Sequence, residues 1–206
     1  CKVGLALGGG GAKGMSYVGI FKVLERHKIP IDYVSGTSIG AVFGALYCAG
    51  YSADEIEKII SEMSWKKLVD FSNFGDGLIE GKAIEKTLAK LLKGKSFENL
   101  RIPLAVTAVD LASGEEVVFE SGDLVRAVHA STAIPGVFCP VKIDHRSYVD
   151  GGVIDPVPVG ALRQKKVDVV IAVNLSTPGK RLKVKKMPKK DKNFFVEQIF
   201  IDGFSA

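Results

Sequence analysis

Two largely apolar runs near the start of the chain each end in glycines and lead directly into a helical pattern. Residues 3–7 run into four consecutive glycines, and residues 29–34 run into the pentapeptide Gly-Thr-Ser-Ile-Gly. A buried strand that turns abruptly into a helix is the repeating unit of parallel sheets, because the helix carries the chain back across the sheet. This part of the sequence therefore predicts an α/β fold.

The same alternation continues along the rest of the chain. Predicted helices cover 15–26, 41–49, 52–63, 81–93, 124–131 and 157–162. Predicted strands cover 102–109, 116–119, 141–143, 147–149 and 167–173, the first two of them in a hairpin. Because helices separate most of the strands, we expect a largely parallel central sheet with helices on both faces.

Composition favours one domain over residues 1–206, since 47% hydrophobic content supplies one substantial core. No run of about eighteen apolar residues predicts a membrane span, and the start shows no signal-peptide pattern. Three cysteines without a pattern, Cys1, Cys48 and Cys139, favour reduced thiols and a cytoplasmic setting.

Residues 180–192 concentrate the positive charge, with eight of the 28 Lys and Arg and one of the 23 Asp and Glu. A solvated loop is the favoured interpretation of this segment, because a run of like charges repels itself. No aromatic residue interleaves with the lysines, so no nucleic-acid partner is expected. A peripheral contact with a membrane stays open as the alternative.

The pentapeptide at 36–40 is the first candidate for chemistry. A Gly-x-Ser-x-Gly between strand and helix is the nucleophile-elbow pattern, which lifts a serine, here Ser38, above the sheet. Gly36 and Gly40 would let backbone pass close on either side of the serine. An ordinary strand-to-helix loop with a Ser or Thr cap is the alternative.

The glycine-rich loop that follows the first strand has several known uses. Gly9, Gly11 and Gly14 fit G-x-G-x-x-G, but the candidate ribose-binding acid, Asp32, comes near the start of the second strand and not at its end. A phosphate-binding P-loop is also excluded, because Lys13 is followed by glycine and not by Ser or Thr. The pattern therefore does not predict a nucleotide site.

The same loop is suited to holding a developing negative charge at the start of a helix. The successive amides of Gly10 and Gly11 are candidates for such an oxyanion hole. A purely steric role for the glycines is the alternative.

A serine nucleophile also needs a base to accept its proton. Asp150 is the best candidate, because it ends a short strand and two glycines follow it. Its alternative is a turn-forming aspartate, the usual role of Asp-Gly pairs. A triad of Ser38 with Asp110 and either His129 or His145 is compatible with chain order, but no local pattern favours it.

Together these motifs resemble the patatin-like phospholipase family. The loop GGGGAKG, the elbow GTSIG and the DGG at 150–152 occur in the family's order, and ASTAIPGVF at 130–138 is similar to its bacterial members. The resemblance extends from about residue 3 to 176. It implies a three-layer α/β/α fold and lipid acyl hydrolase activity that needs no metal or other cofactor.

The resemblance also implies roles for individual residues. Ser38 matches the nucleophile, Asp150 the base, Gly10 and Gly11 the oxyanion donors, and Lys13 the family's basic position. The other motif positions are Gly9, Gly14, Gly36, Gly40, Gly151 and Gly152. It thus implies a Ser-Asp dyad without histidine.

The resulting hypothesis is a serine hydrolase of lipid esters, of phospholipase A, lysophospholipase or esterase type, cytoplasmic or peripheral at a membrane. The alternatives are a regulatory protein that keeps the fold without turnover, and a nucleotide-binding module that uses the glycine loop. Residues 64–79 are interpreted as core, with an apolar lip for a fatty substrate as the alternative. The resemblance ends near Thr177, so 178–206 is expected to be divergent or truncated.

Overall fold

The fold is built on an eight-stranded sheet with helices packed on it. The structure is a computed structural model and describes residues 1–62 and 79–175, together with the backbone of 195–200. The strands are β1 (Val3–Leu7), β2 (Tyr33–Thr37), β3 (Leu104–Asp110), β4 (Glu116–Phe119), β5 (Val141–Ile143), β6 (Arg146–Asp150), β7 (Val169–Asn174) and β8 (Phe195–Phe200). The α-helices are α1 (Tyr17–Arg26), α2 (Ile39–Ala49), α3 (Ala53–Glu62), α4 (Lys82–Leu92), α5 (Leu124–Ser131) and α6 (Val159–Arg163).

The sheet order is β5-β6-β3-β2-β1-β7-β8, and β4 pairs with β3. Strands β3, β2, β1, β7 and β8 are mutually parallel, whereas β4, β5 and β6 pair antiparallel. The prediction of an α/β fold with a mostly parallel sheet is confirmed. The predicted hairpin is β3–β4, which pairs Val109 with Glu116.

Helices cover both faces of the sheet. Along β1, Leu5 and Leu7 join the large core that contains Tyr17 of α1 and Phe43 of α2. Ala6, between them, joins a smaller core with Leu162 of α6, and the three-layer α/β/α prediction is thereby confirmed. All of β1 is buried because both its faces are covered, and this is why its sequence is continuously apolar.

The second strand starts later in the structure than the sequence predicts. Its regular pairing runs from Tyr33 to Thr37, whereas the apolar pattern starts at Ile29. The amide of Ile29 instead donates to the Leu24 carbonyl and closes the end of α1. Pro30, which has no amide hydrogen, follows this turn, so the ladder begins beyond it. At its other end, β2 ends at Thr37, immediately before the elbow serine.

The predicted helix at 15–26 is divided in two. A 3-10 segment, Gly11–Ser16, leads out of the glycine loop, and α1 begins only at Tyr17. Gly11 has φ +57, which is outside the right-handed helical region and delays the start of the regular helix.

At the C-terminal side, β8 adds a strand that the sequence left unassigned. Its backbone pairs parallel with β7, from Val169 with Phe195 to Asn174 with Phe200. The basic run at 180–192 and residues 64–78 of the predicted apolar segment lie outside the described residues. Ile79, the last residue of that segment, is buried and bridges to Phe138, in agreement with a core role.

Strands β2 and β6 meet end to end along one edge of β3. Strand β4 pairs with residues 106–109 of β3. Thr107 has a second partner, Thr37 of β2, and Ala108 has a second partner, Asp150 of β6. Because a strand has only two edges, β2 and β6 must share the edge that β4 leaves open. The parallel β2 and the antiparallel β6 therefore approach each other head-on and bring their last residues together.

Candidate active site

Ser38 follows the last residue of β2 and caps α2. Its backbone has φ 55 and ψ −125, a conformation that residues with a side chain rarely adopt. The Ser38 carbonyl accepts the amides of Ala41 and Val42 at 2.9 and 3.3 Å and so opens the helix. This is the abrupt strand-to-helix turn that the Gly-x-Ser-x-Gly pattern predicts.

The two elbow glycines are required by close packing. A methyl group on Gly36 would lie 2.7 Å from the backbone of Ala41, and one on Gly40 would lie 2.1 Å from the Leu7 carbonyl oxygen. Both distances are shorter than any side chain tolerates. Gly36 and Gly40 thus allow β1, β2 and α2 to converge around Ser38.

Ser38 and Asp150 are joined by a direct hydrogen bond. The Ser38 hydroxyl donates to Asp150 Oδ2 at 2.6 Å, although the two residues are 112 positions apart in the chain. Ser38 is 9% exposed and Asp150 is 6% exposed, so little water surrounds the pair. A hydroxyl so close to a carboxylate can transfer its proton directly, and no imidazole is needed between them.

Burial raises the pKa of Asp150 above its ordinary value. The hydrogen bonds from the Ser38 hydroxyl and from the Gly152 amide, the latter at 2.8 Å to Oδ1, act in the opposite direction but do not cancel this effect. A carboxylate that ionises at higher pH is also a stronger base. The environment of Asp150 therefore favours proton acceptance.

Thr37, the residue before Ser38, makes two contacts through its hydroxyl. Thr37 Oγ1 is 2.6 Å from Thr107 Oγ1 and donates to the Asp155 carbonyl at 3.0 Å. A methyl group on Gly151 would lie 2.6 Å from the Thr107 carbonyl oxygen. The absence of a side chain at Gly151 lets the turn after Asp150 pack directly on β3, and Gly152 then bonds the carboxylate.

The glycine loop packs against the elbow. The amides of Gly8 and Gly9 donate to the carbonyls of Val173 and Pro156 at 3.0 and 2.9 Å, which fixes the first half of the loop. A methyl group on Gly9 would lie 3.3 Å from Ser38 Cβ. The loop therefore lies close to Ser38, which an oxyanion hole formed by this loop would need.

The second half of the loop opens the 3-10 segment. Gly10 precedes this segment and Gly11 is its first residue, and the first amides of a helical turn have no acceptor within the turn. Gly14 packs against Ile39, since a methyl group on it would lie 2.4 Å from Ile39 Cγ1. The Lys13 ammonium donates to the Leu175 carbonyl at 3.1 Å and ties the loop to the end of β7.

Two contacts that the sequence did not reveal come from the end of α5. The buried Ser131 hydroxyl accepts the Ser38 amide at 2.8 Å, and the Ala133 carbonyl accepts the Asp150 amide at 2.9 Å. Both residues belong to the segment ASTAIPGVF, whose similarity to the family was the only signal that could have drawn attention to them.

The acid of the alternative triad lies in a different environment. Asp110 Oδ2 accepts a hydrogen bond from Arg146 at 2.8 Å, and Asp110 Oδ1 accepts the Ala112 amide. These contacts hold the pKa of Asp110 below its usual range. His145 is exposed in the turn between β5 and β6, with φ 67.

His129 is buried on α5 and lies beside Glu85, with 3.5 Å between Nδ1 and the carboxylate. Burial lowers the pKa of His129 despite this acid, so the imidazole is neutral near pH 7. The hydroxyl of Ser38 thus bonds to Asp150, whereas Asp110 of the alternative triad bonds to Arg146 and the imidazole of His129 lies beside Glu85.

Asp32, the acid considered for a dinucleotide site, lies at the opposite end of β2 from Ser38. Its carboxylate accepts the Val3 amide at 2.7 Å at the start of β1. The glycine loop follows the other end of that strand. Asp32 and the loop are therefore separated by the length of the strand.

Among residues 1–62, 79–175 and 195–200, no helix is both long and apolar enough to cross a bilayer.

Comparison with solved structures reveals the same architecture elsewhere. VipD from Legionella pneumophila matches with a TM-score of 0.62 and 21% identity, over 87% of this chain and 51% of that one. A chain of the ExoU–SpcU complex from the type III secretion system of Pseudomonas aeruginosa matches with a TM-score of 0.57 and 19% identity, over 100% and 48%. At such identities the likeness concerns the fold.

Sequence comparison finds relatives at higher identity than these structures. An uncharacterized NTE family protein of Mycobacterium bovis is 35% identical over 178 residues, which is 85% of this chain and 49% of that protein. The lysophospholipase NTE1 of Scheffersomyces stipitis is 31% identical over 186 residues, or 87% and 12%. The chain thus spans about half the length or less of these relatives. Since the family model for patatin-like phospholipases matches residues 5–163, the chain belongs to the patatin-like phospholipase family.

Proposed function

We propose that the chain is a serine hydrolase of lipid carboxylic esters that works through a Ser38–Asp150 dyad. The observation that carries this proposal is the 2.6 Å hydrogen bond between the Ser38 hydroxyl and a buried carboxylate at a strained elbow. Family membership supports a lipid ester as the substrate, and one relative is named a lysophospholipase.

In the proposed first half-reaction, Asp150 accepts the hydroxyl proton as Ser38 Oγ attacks the ester carbonyl carbon. The carbonyl oxygen becomes an oxyanion, which the amides of Gly10 and Gly11 stabilise. The tetrahedral intermediate then collapses, the bond to the alcohol breaks, and Asp150 returns the proton to the departing oxygen. An acyl ester on Ser38 remains.

In the second half-reaction, Asp150 takes a proton from a water molecule that attacks the acyl ester. The same amides receive the second oxyanion, and the proton passes to Ser38 Oγ as the fatty acid leaves. The raised pKa of Asp150 supports both steps, because the base is stronger than an ordinary aspartate. No metal or other cofactor takes part in this scheme.

We also propose a peripheral contact with the lipid surface around the dyad. Four apolar side chains from the segments that flank the dyad are exposed: Met15, Ile134, Val153 and Ile154. The stretches 8–16, 132–140 and 151–154 contain a single charged residue, Lys13, and it is positive. An apolar rim with one cation is suited to a phospholipid surface.

The test of the proposed hydrolysis is a panel of soluble and lipid esters assayed with the wild type and Ser38→Ala. We expect Ser38→Ala to lower kcat by at least about 10³-fold with the fold retained, because no other group supplies the nucleophile. A fluorophosphonate should label the wild type and not Ser38→Ala. Residual turnover within about tenfold of wild type would exclude Ser38 as nucleophile. Absence of both labelling and turnover in the wild type would favour a regulatory protein.

A further inference from the structure

The strained backbone of Ser38 is held from two sides. On the carbonyl side, α2 supplies the amides of Ala41 and Val42. On the amide side, the acceptor is the hydroxyl of Ser131, at 2.8 Å, and Ser131 is completely buried. A φ/ψ pair of this kind persists only where the surroundings impose it. The hydrogen bond to Ser131 is one of these constraints, and it comes from a different helix.

The same short segment also holds the other half of the dyad. The Ala133 carbonyl, two residues after Ser131, accepts the Asp150 amide at 2.9 Å. The segment at the end of α5 therefore accepts the backbone amides of both dyad residues. The Ser131 hydroxyl accepts that of Ser38, and the Ala133 carbonyl accepts that of Asp150. A displacement of this segment would change the distance between Ser38 Oγ and Asp150.

We propose that Ser131 is a positioning residue for the hydrolysis described above, on which this inference rests. Its hydroxyl anchors the Ser38 amide so that Oγ stays within hydrogen-bonding distance of Asp150. The anchor also occupies the Ser38 amide, which leaves stabilisation of the oxyanion to the glycine loop. Ser131 touches neither the substrate nor the reacting atoms in this scheme.

The chain offers a matched control in Ser35. This residue is also completely buried, and its hydroxyl also makes a hydrogen bond, to the Pro158 carbonyl at 2.7 Å. Ser35 lies in β2 three residues before Ser38 and bonds to the turn before α6, away from the dyad. Ser35→Ala and Ser131→Ala therefore remove equally buried hydroxyls, but only Ser131→Ala removes the anchor of the Ser38 amide.

The experiment compares these two variants in thermal stability, in kcat and KM on a soluble ester, and in the rate of labelling by a fluorophosphonate. For Ser131→Ala we expect kcat and the labelling rate to fall by about 10- to 100-fold, the range for loss of a hydrogen bond to a buried amide, while KM changes less than about threefold. Ser35→Ala should lose similar stability and keep both rates.

A second variant keeps the test decisive if Ser131→Ala does not fold. Ser131→Cys preserves the shape but offers sulfur, a weak acceptor, so its rates should lie between those of the wild type and of Ser131→Ala, and below those of Ser35→Ala. Equal rates for Ser131→Cys, Ser35→Ala and the wild type would overturn the positioning role. If Ser38→Ala keeps its activity, the proposed nucleophile is wrong. If Ser38→Ala is inactive but the Ser131 variants are as active as the wild type, the nucleophile stands and only the positioning role of Ser131 fails.

Discussion

Leu175 packs so closely against Gly10 that a methyl group on Gly10 would lie only 2.5 Å from Leu175 Cβ. Leu175 also accepts the Lys13 ammonium through its carbonyl, so the end of β7 and the glycine loop are fitted to each other at two points. The position of the Gly10 amide is therefore set by packing against β7.

Gly10→Ala should lower kcat by about 10²-fold or more, because the methyl group must displace either Leu175 or the loop that carries the proposed oxyanion donors. Leu175→Gly removes the opposing Cβ and should restore part of the loss in the double variant. Steady-state kinetics on a soluble ester measures both. A Gly10→Ala enzyme with unchanged kcat would return the loop to a purely steric role.

Gly11→Ala provides the contrast within the same loop. A methyl group there has no neighbour within 4 Å, but φ is +57. We expect a loss of about 1 kcal/mol in the free energy of unfolding from the left-handed backbone, with kcat within about tenfold of wild type. Gly11→Asn should be more stable than Gly11→Ala, since asparagine tolerates this conformation better. Urea unfolding and kinetics test the two Gly11 variants. A larger loss of kcat in Gly11→Ala than in Gly10→Ala would contradict the view that packing of Gly10 against Leu175 sets the position of the loop.

Asp150→Asn should abolish turnover and yet stabilise the protein at neutral pH. Burial raises the pKa of Asp150 in the folded state, so the folded protein releases this proton at a higher pH than the unfolded chain. Ionisation of the buried Asp150 therefore lowers the free energy of unfolding. This loss is absent below the unfolded pKa of about 4 and grows as the pH rises toward the folded pKa.

The gain in melting temperature of Asp150→Asn over the wild type should therefore be largest near pH 7 and shrink below about pH 4. Differential scanning calorimetry across this range measures it. The pH–rate profile of the wild type should rise through an apparent pKa above that of a free aspartate. Normal turnover by a correctly folded Asp150→Asn protein would refute the dyad.

His129→Gln should leave kcat within about threefold of wild type, because His129 lies beside Glu85 and does not contact Ser38. Asp110→Asn should likewise keep kcat but lower stability at pH 7. The pKa of Asp110 is lowered by the Ala112 amide and by Arg146, a stabilisation that is present above the unfolded pKa and lost as the pH falls through the folded one. A loss of several orders of magnitude in either variant would instead indicate a Ser-His-Asp triad.

Ile154→Asp should weaken binding to phospholipid vesicles by about tenfold, since it places a carboxylate in a rim that would be buried in the lipid surface. Val23→Asp is the control. Val23 is 49% exposed and Ile154 48% exposed, but Val23 lies on α1 outside the segments that flank the dyad. Co-sedimentation with vesicles measures both variants, and equal binding would argue against the proposed contact.

Short sequence patterns predicted the features that depend on neighbouring residues, such as the turn at Ser38. The turn at Ser38 was visible because Gly36 and Gly40 leave room for backbone in any strand-to-helix elbow of this kind. Asp150 was visible because two glycines follow a strand. The start of β2 was misplaced, since the apolar pattern continues across Pro30 although the hydrogen bonds of the ladder do not.

Contacts between distant segments were not predictable in this way. Ser131 reads as an ordinary residue near the end of an amphipathic helix, and only the packing of α5 directs its hydroxyl to the Ser38 amide. The pairing of Asp150 with Ala108 likewise depends on strand register, which no short pattern specifies. The motifs thus identified the candidate groups, and tertiary structure determined their distances.

The head-on meeting of β2 and β6 has a consequence for the newly made chain. During synthesis Ser38 leaves the ribosome long before Asp150, 112 residues later, and until β6 docks on β3 the serine has no partner carboxylate. A chain that stops before β6 lacks the carboxylate. A chain that pairs β6 one residue out of register turns the carboxylate to the other face of the sheet. The proposed ester hydrolysis would therefore begin only after β6 has been made and paired with β3, and nascent chains that lack β6 would not carry it out.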